Sequence, residues 1–455
     1  MLYMWQLIIW QLKEGLLMQD NNDVCIIGLG YVGLTLALTM AYKGFKVTGI
    51  ENNISILKSL HQKKSHFYEP NINKILKKCI KNKNFTFFKE IPKKNYYSTY
   101  IITVGTPLNA FGKSRIDLIK KVVLSISKKL KENNLIILRS TVKIGTTRKL
   151  VHKILSKSKK NFYLSYCPER TSEGKALHEL TYLPQIISGF NKESTKKAKI
   201  IFRRITNKII VTSTLETAEM MKIIDNTYRD MTFAYANEVA TLCDKLNISA
   251  TEVINLGKFE YPRTNIPLPG PVGGPCLTKD TYILNESFKY LNIKPEMALL
   301  ARKINENYFF GVINFLKKKI IHKKNLKISV LGLSFKGNPL TSDLRGSPSI
   351  NLIKKIQKNF YKCRVNVYDN LVSNEDFKKN KIKKCVSLDD CFKRADIAII
   401  ANNNNLFKKI NLNKMSKIMN NKGIIYDCWN LYNKNSLELT NRVNYYAFGN
   451  QSEKI

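Results

Sequence analysis

Val24-Cys-Ile-Ile-Gly28-Leu-Gly-Tyr-Val-Gly33 decides the fold of this 455-residue chain. The apolar run predicts a buried strand. Glycines at 28, 30 and 33 follow at once, then a helical stretch from Leu34 to Lys43. Gly44 breaks it, and Lys46-Val-Thr-Gly-Ile50 predicts a second strand that ends at Glu51. Strand, glycine turn, helix, strand and acid in this order describe a dinucleotide site. Gly28 permits the tight turn, Gly30 lets a pyrophosphate touch backbone, and Gly33 lets helix and strand pack closely. Glu51 lies 18 residues after Gly33, where a carboxylate accepts both ribose hydroxyls and repels a 2′-phosphate, so NAD is favoured over NADP. The glycines alone would be weak evidence; the flanking strands and the acid make them specific.

Outward from this unit, Tyr100–Val104 predicts a strand leading to Gly105-Thr106-Pro107. Leu135–Leu138 leads to Arg139-Ser-Thr141-Val142, and Asn161–Ser165 to Cys167-Pro-Glu169-Arg170 with Glu173-Gly174. In a doubly wound sheet, ligands lie outside the carboxyl ends of strands, so Thr106, Thr141 and Glu169 are delivered toward one crevice. Each alone reads equally well as turn or cap chemistry; their joint placement favours a site. A helix without a breaker runs from about Leu215 to Leu246. Lys222 and Asn226 are four apart on it and share one face, which on its own would pass for a solvated one.

Pro267-Leu-Pro-Gly-Pro-Val-Gly-Gly-Pro-Cys276-Leu-Thr-Lys279-Asp280 follows the loop Tyr261-Pro-Arg263-Thr264. A helix predicted from Leu277 to Leu291 puts Cys276 at its N-terminal end, where the helix dipole favours thiolate. Most cysteines are packing residues; the upstream cofactor turn gives this one a reaction to join. A second α/β unit starts at Lys327–Leu331 and Gly332-Leu-Ser-Phe-Lys336. Ser347 or Ser349 opens a helix at Ile350, and further strands fall at Arg364–Tyr368 (with Asp369), Ile397–Ile400 and Ile424–Tyr426. Asn402–Asn405 reads as a loop. The fold class is α/β: two Rossmann-like domains joined by a helical connector with a long central helix. The expected divisions are an extension at 1–22, an NAD domain at 23–212, a helical domain at 213–320 and a C-terminal domain at 321–455.

The formal charge of +42 (76 Lys+Arg against 34 Asp+Glu) raises nucleic acid as a partner. The lysines are spread along the whole chain with asparagine and isoleucine, with no basic arm, so a coding bias explains them better. Nine cysteines without a Cys-x-x-Cys pair or adjacent histidines fit a reducing compartment, with no disulfide framework and no metal site. No apolar run reaches membrane-spanning length. Met1–Gln19 is apolar but lacks a signal peptide's basic leader and cleavage site. It reads as an amphipathic extension or as translation upstream of a start at Met18.

In this order the motifs resemble the UDP-glucose/GDP-mannose dehydrogenase family of nucleotide-sugar 6-dehydrogenases, from about Val24 to Asn430. The residues that carry the likeness are Gly28–Gly33, Val104–Pro107, Ser140–Val142, Pro168-Glu169 with Glu173-Gly174, Ala218-Glu219 with Lys222 and Asn226, Gly273–Cys276 with Lys279-Asp280, and Gly332–Lys336 with Asp343 and Arg345. The resemblance implies oxidation of a sugar CH₂OH to a carboxylate with two NAD⁺, through a thiohemiacetal and a thioester on Cys276. Thr141 and Asp280 would hold a water for the first proton, Lys222 and Asn226 would face the oxyanion, and Glu169 would activate the hydrolytic water. NAD would meet Gly28, Gly30, Tyr31, Val32, Gly33, Glu51, Gly105, Thr106, Thr141, Lys279 and Arg345. Substrate would meet Glu169, Arg170, Glu173, Lys222, Asn226, Gly273 and Lys336, with Arg263 resembling an arginine that reaches a neighbouring subunit's substrate. The family also implies a cytoplasmic homodimer formed through the long helix, without nucleic-acid or membrane partners, supplying surface polysaccharide precursors. Trp429 stands where many members carry Arg, and Asn402–Asn405 replaces a Thr/His-type stretch. Lys279-Asp280 matches the UDP-glucose branch, whereas Pro267–Pro271 matches branches acting on N-acetylated sugars, so the sugar stays open. A catalytically silent nucleotide-sugar binder and a one-step dehydrogenase, which would not need Cys276, are the competing readings.

Overall fold

The computed structural model describes residues 23–93, 96–320 and 325–451. The extension expected at 1–22 lies outside them. The chain forms two compact units: Met1–Asp225 with Tyr282–Ile293, and Asn226–Thr281 with Lys294–Ile455.

In the first unit, β1 (Asp23–Ile27), β2 (Lys46–Ile50), β3 (Phe85–Phe88), β4 (Thr99–Ile102), β5 (Asn134–Leu138), β6 (Phe162–Tyr166), β7 (Gln185–Gly189) and β8 (Ile209–Val211) form one sheet in the order 3-2-1-4-5-6-7-8. Neighbours are parallel except β6 and β7. Alternate β1 residues enter different cores: Val24 and Ile26 join one cluster, Cys25 and Ile27 the other. Both faces are therefore covered, which is why central strands of a parallel sheet read as unbroken apolar runs. The order reverses beside β1, so the carboxyl ends of β1 and β4 flank the switch point.

The second unit repeats the plan with β9 (Lys327–Leu331), β10 (Arg364–Tyr368), β11 (Lys383–Lys384), β12 (Ile397–Ile400), β13 (Ile424–Asp427) and β14 (Asn444–Ala447), all parallel in the order 11-10-9-12-13-14. Its switch point lies between β9 and β12. The two units echo each other locally. Gly28 after β1 and Gly332 after β9 have φ of +95° and +94°, values that favour glycine. Glu51 accepts the N–H of Leu29 at 2.9 Å, and Asp369 accepts the N–H of Leu333 at 2.8 Å.

Helix α1 (Tyr31–Tyr42) is buried along most of its length, with Gly33 against the first turn: a Cβ there would sit 1.8 Å from the Gly28 carbonyl oxygen. Helix α2 (Leu215–Leu246, 32 residues) is about 48 Å long at 1.5 Å per residue. Helix α3 (Gly274–Phe288) begins three residues before the position expected from periodicity and ends in a 3₁₀ turn, because Gly274 with φ +91° starts it directly off the loop. Helix α4 (Glu296–Lys319) lays Tyr308, Phe309, Val312, Ile313 and Leu316 on the second sheet. Helix α5 (Pro348–Asn359) is capped by Ser347, whose side chain accepts from Ile350 N–H. Among the described residues no helix is long and apolar enough to cross a membrane.

Candidate active site

The turn after β1 opens into a cavity of about 760 Å³ in the first unit. Gly28, Gly30, Glu51 and Gly105 line it, with Ile91 and Val122 as apolar walls. Nothing lies within 4 Å of where a Gly30 Cβ would stand, so the backbone is bare where a pyrophosphate would approach. Glu51 is nearly buried, and its carboxylate also takes the Asn53 N–H at 2.8 Å, which aims it along the end of β2. These features fit NAD. Gly33 serves packing, and the Tyr31 hydroxyl turns away to Glu69 and Gly174. Thr106 donates to the Thr141 carbonyl at 2.6 Å, joining the loops after β4 and β5.

Glu169, at the end of β6, is buried and ion-paired at 2.6 Å with Arg139, itself 2% exposed. Arg139 also donates to Gln185 and the Cys167 carbonyl, both at 2.9 Å. Glu169 accepts the N–H groups of Arg170 and Thr171 at 2.7 and 2.8 Å. Burial pushes its carboxyl up, but Arg139 and these N–H groups outweigh that and hold it below its ordinary value. Glu169 is therefore ionised, with reduced basicity. Arg139 was visible in sequence only as a strand-end residue; its burial and pairing are tertiary. Arg170 pairs with Asp225 at 3.1 Å. Lys222, nearly buried, projects from α2 in this same unit, and Glu173 lies in the loop after Glu169.

The second unit holds the thiol. Cys276 is partly exposed in the first turn of α3. Asp280 is four residues on, fully buried, and shares its helix face. The Asn226 amide donates to one Asp280 oxygen at 2.5 Å, and the Lys279 ammonium reaches the other at 2.5 Å. Asn226, expected at an oxyanion, and Lys279, expected at the cofactor, both contact Asp280 here.

The loop before Cys276 is held at three glycines where no side chain fits. A Cβ on Gly270 would stand 2.5 Å from the Trp429 ring, one on Gly273 would stand 2.3 Å from the Gly346 carbonyl oxygen, and one on Gly274 would stand 2.5 Å from the Phe335 ring. Asn237 on α2 grips Gly270 twice, taking its N–H at 2.9 Å and donating to its carbonyl at 3.2 Å. Trp429 is fixed by its indole N–H on the Ala401 carbonyl at 3.2 Å. Asn237 was missed, and Trp429 stood out only as a departure from Arg: an Asn mid-helix and a Trp after a strand carry no sign of their contacts with Gly270.

At the β9/β12 switch point, the Asn403 amide oxygen accepts the N–H groups of Gly337 and Asn338 at 2.9 and 3.0 Å, and Asn402 donates to Ser334 Oγ at 3.2 Å. The asparagine run is therefore a brace for the loop that carries Lys336, whose ammonium lies 5.4 Å from the Phe335 ring centroid. Arg345 pairs with Asp343 at 2.5 Å and is largely exposed. Arg263 lines a cavity of about 720 Å³ with Tyr228, Tyr235 and Met297.

Three family models cover the chain in order. The NAD binding domain of the UDP-glucose/GDP-mannose dehydrogenase family matches residues 22–206, its central domain 216–307 and its UDP binding domain 329–434. The chain belongs to the UDP-glucose/GDP-mannose dehydrogenase family. It is an NAD-linked oxidoreductase of the nucleotide-sugar class. Among relatives of this family, the UDP-N-acetyl-D-mannosamine dehydrogenase of Methanococcus maripaludis strain S2 is 33% identical over 424 residues, covering 90% of this chain and 93% of its own. The solved structure of the UDP-D-ManNAc dehydrogenase from Pyrococcus horikoshii superposes with TM-score 0.83 at 28% identity, over 94% of this chain and 99% of that one. The UDP-N-acetyl-mannosamine dehydrogenase of Staphylococcus aureus gives 0.81 at 28% identity, over 94% and 98%. Within this dehydrogenase, the 760 Å³ cavity belongs to the NAD binding domain, and the braced Lys336 loop to the UDP binding domain.

Proposed function

We propose that the chain oxidises C6 of a UDP-N-acetylhexosamine, N-acetylmannosamine foremost, from hydroxymethyl to carboxylate through a covalent Cys276 adduct. The observation that carries this is Cys276 in the first turn of α3, one turn ahead of a buried Asp280 that Asn226 and Lys279 hold in place. The sugar follows the names of the relatives and the Pro267–Pro271 loop, which Trp429 and Asn237 hold rigid.

NAD⁺, when bound, accepts the hydride of each of the two oxidations. A water held by the Asp280 carboxylate takes the C6 hydroxyl proton. The Cys276 thiolate then adds to the aldehyde carbon, forming a thiohemiacetal. Lys222 faces the oxygen that gains negative charge. The second oxidation leaves a thioester, and water polarised by the ionised Glu169 splits it into uronate and free thiol. The tight Lys279–Asn226–Asp280 network keeps that carboxylate in one orientation through all steps. Arg170, Glu173, Gly273 and Lys336 contribute to the substrate site, and Arg345 acts on the cofactor side.

The active form is a cytoplasmic homodimer supplying precursors of surface polysaccharide. Tyr228, Tyr235, Leu242 and Leu246 on α2 are 56–69% exposed at spacings of seven, seven and four, an apolar stripe suited to a second copy. Arg263 then lies at the cavity beside that stripe and serves the neighbour's substrate.

The test is purified protein with NAD⁺ and a panel of UDP- and GDP-sugars. Two NADH per sugar and a uronate product are expected, fastest with UDP-N-acetylmannosamine. One NADH per turnover with a free aldehyde product would sink the thioester mechanism.

A further inference from the structure

Glu69 is only 4% exposed, in the segment between the helices Ile54–His61 and Ile72–Lys81. A buried carboxylate is costly unless donors satisfy it. Here the donors come from far along the chain. Glu69 accepts from the Tyr31 hydroxyl, from Gly174 N–H at 2.7 Å and from Leu177 N–H at 3.4 Å. The Gly174 N–H is shared with the Tyr31 oxygen at 2.8 Å. Phe67 packs on the Tyr31 ring with centroids 4.6 Å apart. Burial, reinforced by Glu69, pushes the Tyr31 phenol up, so it stays protonated and donates.

The loop after β6 has no helix or strand of its own, and carboxylates fold it. Arg170 and Thr171 N–H donate to Glu169, Ser172 N–H donates to Glu179 at 2.7 Å, and Gly174 N–H donates to Glu69. Glu169 and Glu179 are local to the loop and the helix after it. Glu69 comes from 105 residues away and joins the loop to the first residue of α1.

We propose that Glu69 is a positioning residue that ties the substrate-side loop Pro168–Gly174 to the N-terminus of α1, the helix start that takes the cofactor pyrophosphate. With the tie made, Glu169 and Glu173 are held in fixed register with the cofactor turn. This rests on the substrate-side role given above to Glu169 and Glu173.

The experiment compares wild type, Glu69→Gln and Tyr31→Phe by hydrogen exchange of the 168–177 segment, NADH titration without sugar, and steady-state kinetics. Expected for Glu69→Gln are faster exchange confined to that segment, NADH affinity within about twofold, and a UDP-sugar KM raised about tenfold. Tyr31→Phe keeps the Gly174–Glu69 bond and should move exchange and KM in the same direction by less. Unchanged exchange in 168–177 overturns the tie whether or not the enzyme turns over. Faster exchange with an unmoved sugar KM overturns the positioning role. An equal loss of NADH affinity shows that Glu69 shapes only the cofactor turn, which also overturns it. If Glu69→Gln does not fold, Tyr31→Phe decides by the same readouts. A wild type that oxidises no UDP-sugar defeats the proposed function, and the exchange result still judges the tie.

Discussion

Asn226 Nδ2 donates to Asp280 Oδ2 at 2.5 Å, and Asp280 is fully buried. If these two side chains, 54 residues apart in the chain, act as one unit, their losses will not add. Asn226→Ala and Asp280→Asn should each lower kcat by about 100-fold, and the double variant should be scarcely worse than the poorer single. Steady-state kinetics of the four proteins give the coupling. Additive losses would mean that Asn226 acts on substrate independently of Asp280.

Cys276→Ala should still bind NADH and UDP but produce no uronate, since the covalent adduct is gone. Mass spectrometry of the product mixture and a UDP titration check both halves. Full uronate production by this variant would remove the central claim.

Glu51 presents its carboxylate at the end of β2, held by the N–H groups of Leu29 and Asn53. The kcat/KM for NAD⁺ should exceed that for NADP⁺ by roughly 100-fold or more. Glu51→Ser should shrink that ratio mainly by weakening NAD⁺. Comparable use of both cofactors by the wild type would refute the assignment.

Glu219 is buried beneath the loop after β5, where it accepts from Gly145 N–H at 2.5 Å and from the Thr147 N–H and hydroxyl at 2.8 and 2.6 Å. Burial nevertheless dominates and pushes its carboxyl up from 4.5 to about 7. The folded state therefore holds its proton more tightly than the unfolded state. The associated stability is complete below about pH 4.5 and is lost as pH rises through about 7, up to about 3 kcal/mol. In Tm scans from pH 4.5 to 8, wild type should lose ground to Glu219→Gln as pH increases. A difference that is flat with pH would contradict this.

Gly270 lies under the Trp429 ring with no room for a methyl group. Gly270→Ala should cost about 1–3 kcal/mol by overpacking and lower the Tm. Adding Trp429→Ala should recover part of that loss, because the clashing ring is removed. A double variant less stable than the sum of the singles would place the strain elsewhere.

How much of this was legible in sequence follows from the range of the interactions. The turn at Gly28–Gly33, the strands with Thr106, Thr141 and Glu169 at their ends, and the helix start at Cys276 are local. Their glycine conformations, apolar runs and spacings depend on neighbours in the chain. The second α/β unit was equally visible, with its helix cap narrowed to Ser347 or Ser349; Ser347 holds it. What local pattern could not reveal is which polar group each buried charge meets. Asp369 was visible only as the residue after a strand, yet it takes the N–H groups of Leu333, Ser334, Leu371 and Val372 at 2.8–3.1 Å. Asn402 and Asn403 looked like featureless loop and proved to brace the Lys336 loop.

The amino-acid sequence by itself determined the two wound sheets, the long helix, the NAD-binding turn and the position of the thiol. Only the tertiary structure decided that Arg139 sits behind Glu169, that Asn226 and Lys279 converge on Asp280, that Trp429 and Asn237 clamp Gly270, and that Glu69 reaches Tyr31 and Gly174. The reason is physical. Backbone conformation and amphipathic spacing are short-range properties, whereas a buried polar group must be satisfied by whatever donor or acceptor the completed fold brings within 3 Å or so.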